Sequence, residues 1–467
     1  MRIYFIGVCG TATGNVAILM KRLGHDVAGS DTGMYEPMKS ALHNAGVRAE
    51  EGWNPSRIEA FAPDIVVVGN AISRMNPELE FILDGRRYEY TSLPDLIGSK
   101  LIGRRKSLVI CGTHGKTTTT SIAAGLLRAN GLNAGWLIGG IPKNLSEGGA
   151  NLGDLNAPFV IEGDEYDTAF FDKRSKFLHY RPHTLLINNL EFDHADIFRD
   201  LVDVKRTFTH VRRIVPPRGC IVENSDDANI ADLEPTPWTR RFSVGFGKSA
   251  FLRISDFAEN LGGSEFALSC GKKNIRIKWG LHGVFNARNA AMAAAGAANV
   301  LELENPLDLD LSFLENFGGV MRRQELILDT PRIAAYEDFG HHPTAIRLTL
   351  ESLKARYPDR KLIACFEPRS NTAKRKVLQK EFADSLSLAD MAYIGFADTS
   401  KVPADMRIDT AAIAAENPEK TLAFNSNEEL LEKLESDARS MPEKLVCVFF
   451  SNGSFGSIHT KFAKDFA

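Results

Sequence analysis

The run SLVICGTHGKTTTTSIAAGLL (107–127) limits the fold of this chain more than any other stretch. Leu108 to Cys111 is an apolar β-type segment, and Gly112 and Gly115 bend the chain after it. Ile122, Ala123, Leu126 and Leu127 then recur with helical spacing toward a stop near Gly131. A strand feeding a glycine-rich loop feeding a helix presents backbone N–H groups to an anion. In that setting Lys116 reaches the β- and γ-phosphates of a nucleotide and Thr117 ligates Mg²⁺. The common phosphate-loop pattern has a glycine six residues before the lysine; Ile110 stands there, so this is a shorter version.

Apolar β-type runs alternate with helix-like stretches along all 467 residues, which predicts an α/β protein with parallel sheets and about three domains. The first segment opens RIYFIGVCGTATG, with a strand at Ile3–Ile6 and a turn through Gly7, Gly10 and Gly14. A helix carrying Val16, Leu19, Met20 and Leu23 follows, then a strand ending at Asp31. This is a βαβ nucleotide-binding opening in which Cys9 takes the middle glycine position. A buried strand in DIVVVGN leads to Asn70, and GSKLIGRRKS reads as a polar connector. A third segment begins near Arg322, with apolar runs RIAAY, KLIACF, MAYIGF and KLVCVFF. The expected limits are 1–103, 104–321 and 322–467.

A net charge of −3 gives no basic field for nucleic acid, and no run has the length of a membrane span. The six cysteines show no paired spacing, the pattern of reduced thiols, so a cytoplasmic location is expected.

In the central segment two further apolar runs end in ligand-like residues. One leads into Glu162, Asp164 and Glu165, the other into Asn188, Asn189, Asp193 and His194. Open α/β sheets bind ligands at the carboxyl ends of their strands, so both clusters belong on the edge that carries Lys116. Carboxylates and an imidazole there suit one or two divalent metals bridging triphosphate oxygens. Asn286 and Asn289, three apart at a helix start, read equally as caps or as ligand contacts. MRRQE (321–325) reads as a solvated hinge. Asp338, His341 and His342 directly follow a strand, a polar density that packing does not require.

Together these motifs resemble the Mur ligases, and the resemblance covers essentially the whole chain. GTHGKT (112–117), EGDEYD (162–167), NNLEFDHAD (188–196), FNARN (285–289), MRRQE (321–325) and DFGHHP (338–343) stand in that family's order. GVCGTATG (7–14), SD (30–31) and GNAISRMNPE (69–78) look like its UDP-N-acetylmuramate-binding branch. AFFDKRSKF (169–177), EPRSNT (367–372) and SNGSFGSIH (451–459) look like the members that add a murein tripeptide in peptidoglycan recycling; the L-alanine-adding members are the alternative.

The resemblance implies an N-terminal Rossmann-like UDP-binding domain, a central P-loop ATPase-like domain and a C-terminal Rossmann-like domain. It implies ATP and Mg²⁺ as cofactors and amide formation through an acyl phosphate. By motif, Gly112, Thr113, His114, Gly115, Lys116, Thr117 and Thr118 hold the phosphates, Asn289 contacts adenine and Asp338 the ribose. Arg323 reaches the phosphates on domain closure, and Thr117, Glu162 and His194 ligate metal. Gly7, Cys9, Gly10, Thr11, Asp31 and Asn70 receive the UDP-sugar; Arg369, Ser370, Asn371 and Asn452 receive the peptide. Lys116, Glu162, His194 and His341 are the expected catalytic set, with His341 positioning or deprotonating the amine. Phe285 replaces a histidine common in relatives, and Lys205 is the nearest candidate for the lysine that many members carbamylate.

A nicotinamide oxidoreductase explains Gly7, Gly10, Gly14 and Asp31 alone, and a P-loop ATPase switch explains the central segment alone.

Overall fold

The computed structural model describes all 467 residues and builds them around three principal sheets and a small hairpin. The first sheet is wholly parallel, with strands β1 (Arg2–Ile6), β2 (Asp26–Asp31), β3 (Arg48–Glu51), β4 (Ile65–Val68) and β5 (Tyr90–Ser92) in the order 3-2-1-4-5. This is the Rossmann half-order, in which the chain reverses direction beside β1 and opens a crevice at its carboxyl end. Gly7 leaves β1 at a φ of +88°, a conformation that a side chain would strain. Helix Thr11–Arg22 follows, buried on its Val16, Leu19 and Met20 face.

The central sheet is the largest. Its strands are β6 (Ser107–Cys111), β7 (Gly135–Leu137), β8 (Ala150–Asn151), β9 (Phe159–Gly163), β12 (Thr184–Ile187), β13 (Cys220–Asn224), β14 (Arg240–Gly245), β15 (Leu252–Asn260), β16 (Gly263–Cys270) and β17 (Lys273–Trp279). They run in the order 17-16-15-14-13-12-6-9-7-8, with β10 (Asp167–Ala169) and β11 (Asp172–Ser175) forming the separate hairpin. Neighbours from β7 to β14 on the main run are parallel, while β15 to β17 form an antiparallel extension. The motif reading contains no counterpart to that extension.

β6 sits mid-sheet and is fully buried, so its carboxyl end delivers the loop 112–115 to the middle of one edge. Helix Lys116–Ala129 leaves that loop and packs on helix Val284–Val300, whose alanines 287, 290, 291 and 294 are fully buried. Alanine combines high helix propensity with small volume, which lets two helices approach closely.

The third sheet runs β18 (Glu325–Asp329), β19 (Ile333–Asp338), β23 (Leu445–Phe450), β20 (Lys361–Phe366), β21 (Met391–Ile394) and β22 (Thr421–Ala423). All neighbours are parallel except β18 with β19. The connector expected to be polar is only partly so: Ile97–Ile102 winds into a π-helical turn with Leu101 and Ile102 buried. Gly98 there rests against the backbone carbonyl of His179, which leaves no room for a Cβ.

Candidate active site

The carboxyl ends of β6, β9 and β12 lie side by side, because these three strands are neighbours in one parallel sheet. A cavity of about 880 Å³ opens over them, lined by Lys116, Glu162 and His194 from the central unit. Thr11 and Asn70 reach it from the first unit, and Arg323, Asp338 and His341 from the third.

The loop is held rigidly. Gly115 adopts φ +76°, and a Cβ there would stand 2.6 Å from Asn289 Oδ1, so both conformation and space demand glycine. Asn188 Nδ2 donates to Thr119 Oγ1 at 2.8 Å and to Asn289 Oδ1 at 3.1 Å, fixing the helix Val284–Val300 against the loop. The backbone N–H of His114 donates to Asn189 Oδ1 at 2.8 Å, and Asn189 Nδ2 returns a bond to the His114 carbonyl at 3.1 Å. Asn289 thus borders the loop itself, and Phe285 lines the cavity close by.

Lys116 Nζ donates to the Gly112 carbonyl at 2.7 Å and pairs with Glu165 at 3.3 Å. Burial opposes its charge, but Glu165, Asp164 and Glu162 outweigh that and raise its pKa above the usual lysine value. It therefore stays cationic, as phosphate binding requires.

Two oxygen-rich groups flank it. Thr117 Oγ1 donates to Glu162 Oε2 at 3.1 Å, and the Gly139 N–H donates to the other oxygen of Glu162 at 2.6 Å. His194 Nε2 lies 3.3 Å from Glu165 Oε1, and Asp164, Glu165 and His194 each offer one atom to a common point. Burial lowers the His194 pKa, but Glu165, Asp193 and Asp164 prevail and lift it to about 9. His194 occupies a left-handed backbone position, φ +56°, which turns its ring back toward these carboxylates. Thr117 thus pairs with Glu162, and His194 stands with Asp164 and Glu165.

Arg323 Nη2 donates to Thr117 Oγ1 at 3.2 Å, and its guanidinium stacks over Phe339 at 4.6 Å. Asp338 accepts from the Gln324 and Gly340 N–H groups at 2.8 and 2.6 Å. His341 Nδ1 donates to the Phe339 carbonyl at 3.1 Å, which leaves Nε2 as the ring's free base, 3.8 Å from Asp193. Burial lowers its pKa despite Asp193, favouring the neutral ring.

Of the residues expected at the UDP-sugar, Thr11 and Asn70 line the cavity. Gly7, Cys9, Gly10 and Asp31 build the turn behind them; the Cys9 N–H donates to the Asp31 carboxylate at 2.9 Å. Arg369, Ser370, Asn371 and Asn452 lie outside this cavity. Asn371 Nδ2 donates to Asp196 at 2.8 Å, Asp196 also accepts from the Tyr166 hydroxyl, and Thr372 Oγ1 donates to Asp193 at 2.6 Å. Tyr166, Asp193 and Asp196 fall within quoted motifs, but only docking of the third unit brings Asn371 and Thr372 to the two aspartates. Lys176 was not singled out, yet it lines the cavity with Nζ 2.6 Å from Asp164. Lys205 does not line the cavity; its ammonium pairs with Asp232 at 2.8 Å.

The chemistry available is phosphoryl-transfer chemistry: a cationic lysine and arginine over an anion-binding loop, oxygen donors for a hard divalent metal, and a neutral imidazole beside them.

Known proteins carry the same pattern. Residues 2–99 match the model described as Mur ligase family, catalytic domain; residues 110–297 the Mur ligase middle domain; and residues 322–451 the Mur ligase, glutamate ligase domain. The chain is 38% identical over 463 residues (99% of this chain, 97% of the relative) to the UDP-N-acetylmuramate–L-alanyl-γ-D-glutamyl-meso-2,6-diaminoheptandioate ligase of Escherichia coli. It is also 38% identical, over 98% of both chains, to the Haemophilus influenzae protein of the same name. Among solved structures, a murein peptide ligase from Psychrobacter arcticus aligns with a TM-score of 0.71 at 34% identity, covering 99% of this chain and 98% of that one. A UDP-N-acetylmuramate–alanine ligase from Thermotoga maritima aligns with a TM-score of 0.77 at 22% identity over 100% of this chain and 99% of that one, a likeness of fold.

Proposed function

The chain belongs to the Mur ligase family, and from that premise we propose that it joins UDP-N-acetylmuramate to L-alanyl-γ-D-glutamyl-meso-diaminopimelate, converting ATP to ADP and phosphate. Support for this acceptor comes from the two relatives, 38% identical over nearly the full length, that are named for this tripeptide. The observation that carries the chemistry is the meeting of Thr11, Lys116, Glu162, Arg323 and His341 around one cavity.

In this reading the units are 1–103 for the UDP-sugar, 104–321 for ATP and 322–467 for closure and peptide, and the enzyme works in the cytoplasm. No helix is long and apolar enough to cross a membrane. The backbone of 112–118 and Lys116 hold the triphosphate. Thr117 with Glu162, and His194 with Asp164 and Glu165, would hold Mg²⁺; buried carboxylate and hydroxyl oxygens fit a hard cation. Bound there, Mg²⁺ neutralises charge on the triphosphate oxygens.

The muramyl carboxylate attacks the γ-phosphorus and ADP leaves, giving an acyl phosphate. Lys116 and Arg323 stabilise the charge that spreads over the transferring group. The peptide amine, with an ordinary pKa of about 8, then attacks the acyl carbon. Neutral His341, with Nε2 unprotonated, takes the proton as phosphate departs. Asn289 borders the adenine and Asp338 the ribose; Gly7, Cys9, Gly10, Thr11, Asp31 and Asn70 receive the UDP-sugar. Arg369, Ser370, Asn371 and Asn452 contact the peptide.

The test is phosphate release from ATP with UDP-N-acetylmuramate and either L-alanine or the tripeptide. Turnover with tripeptide alone, giving UDP-muramyl-tripeptide, supports the proposal. Turnover with L-alanine alone overturns it in favour of the L-alanine-adding reaction.

A further inference from the structure

One carboxylate oxygen joins the phosphate loop to the third unit. Glu191 Oε2 accepts from His114 Nε2 at 3.2 Å on the loop side and from Thr344 Oγ1 at 2.7 Å on the other. His342 Nδ1 stands 3.2 Å from the same oxygen. The Glu191 backbone grips the loop as well: its N–H donates to Thr113 Oγ1 at 2.9 Å, and Thr113 Oγ1 donates to its carbonyl at 3.3 Å. Loop residues 113 and 114 are therefore fastened to the segment that the third unit touches.

The third-unit side is equally defined. His342 is the N-cap of helix Pro343–Arg356, its Nδ1 accepting the Thr344 N–H at 3.3 Å. Its Nε2 donates to the Phe192 carbonyl at 3.1 Å, one residue along from Glu191. The rings of His114 and His342 lie 4.6 Å apart, centroid to centroid. Glu191 Oε2, His114 Nε2, Thr344 Oγ1 and both nitrogens of His342 are all engaged, so these side chains form a hydrogen-bonded clasp. Burial raises the Glu191 pKa, but the hydrogen bonds from His114 and Thr344 and the neighbouring imidazole of His114 outweigh it and hold the carboxyl down at about 2.

We propose that Glu191 is a positioning residue: it couples seating of the third unit to the phosphate loop, so that the His114 ring, on a loop whose backbone Asn189 already holds, takes its working orientation only when Thr344 and His342 have docked. This rests on the reading that the third unit closes over bound ATP. A carboxylate that merely packs at an interface would stabilise the contact without binding the loop through the same atom. Glu191 does both with Oε2, so loss of either partner loosens the other.

The experiment uses the full chain with Glu191→Gln, Thr344→Val, the double variant and Thr344→Ser. Each of the first two is expected to lower kcat at least about tenfold, with the KM for UDP-N-acetylmuramate changed less than about twofold. The double variant should be no slower than the worse single one, and Thr344→Ser, which keeps the hydroxyl, should retain wild-type turnover. In small-angle X-ray scattering with a non-hydrolysable ATP analogue, Mg²⁺ and UDP-N-acetylmuramate, wild type should compact and Glu191→Gln should not. Multiplying losses in the double variant, unchanged turnover in either single variant, or full compaction of Glu191→Gln would overturn the proposal. The scattering needs no acceptor, so it reads closure even if the tripeptide assignment fails.

Discussion

Arg323 donates to the hydroxyl of Thr117 at 3.2 Å, across 206 residues of chain. The arginine stands just ahead of β18 and meets the first turn of the phosphate-loop helix. It is flanked by Arg322 and Gln324, both in left-handed backbone positions at φ +63° and +45°. The backbone is therefore twisted on both sides of the residue it delivers.

In the proposed reaction Arg323→Ala removes the cation assigned to the transferring phosphoryl group. Turnover should fall about 10²–10³-fold while UDP-N-acetylmuramate still binds, as calorimetry of the sugar nucleotide would show. An equal loss in both would mean that the arginine serves folding rather than chemistry.

Lys116→Met should abolish turnover and also destabilise the central unit. Glu165, Asp164 and Glu162 share this cation, and removing it strands buried carboxylates, at a cost of about 3 kcal/mol. The first thermal transition should drop at neutral pH and recover toward acid pH as the carboxyls protonate. A variant with wild-type melting would show that these acids are screened by water.

His342 sets a pH dependence. Burial, aided by His114, lowers its pKa from 6.5 to about 4, against the opposing pull of Asp193 and Glu191. Its stabilising contribution is thus present above pH 6.5 and is lost as pH falls toward about 4, because the unfolded chain takes up the proton first. Between pH 7 and 5 this amounts to about 2 kcal/mol. His342→Asn keeps a helix cap and should melt with a smaller difference between those two pH values. An unchanged difference would shift the effect to the other buried histidines.

Glu78 is fully buried in the first unit, accepting from the Tyr4 hydroxyl at 3.1 Å and the Asn54 N–H at 2.9 Å, and from the Ser30 hydroxyl. Burial raises its pKa despite these donors. Its protonated form is therefore favoured by folding, and stability declines as pH rises through the range above the ordinary glutamate value. Glu78→Gln should remove that decline, whereas Glu78→Leu, which orphans all three donors, should cost about 3 kcal/mol. Melting curves at pH 5 and pH 8 distinguish the two.

The local pieces of the site were legible in the chain. Strand β6, the loop and helix Lys116–Ala129 are contiguous, so apolar run, glycines and helical spacing determine their shape without reference to anything distant. The same holds for β9 and β12: their polar residues reach one edge because parallel strands align their carboxyl ends. The connector differs from its polar reading because the turn Ile97–Ile102 packs on the segment Lys176–Tyr180, with Gly98 against His179, a fact no local pattern carries. Pairings across the units were also beyond the sequence. Glu191 with Thr344, 153 residues apart, and Arg323 with Thr117 depend on how one sheet docks on another. Periodicity reports which face of an element is apolar, but it does not report which distant surface that face will meet. The sequence thus determined the loop, the edge on which the ligands gather and the family, while the tertiary structure decided which side chains share a partner. Lys205 makes the difference plain: it is near His194 in sequence, but its helix turns it to Asp232, away from the cavity.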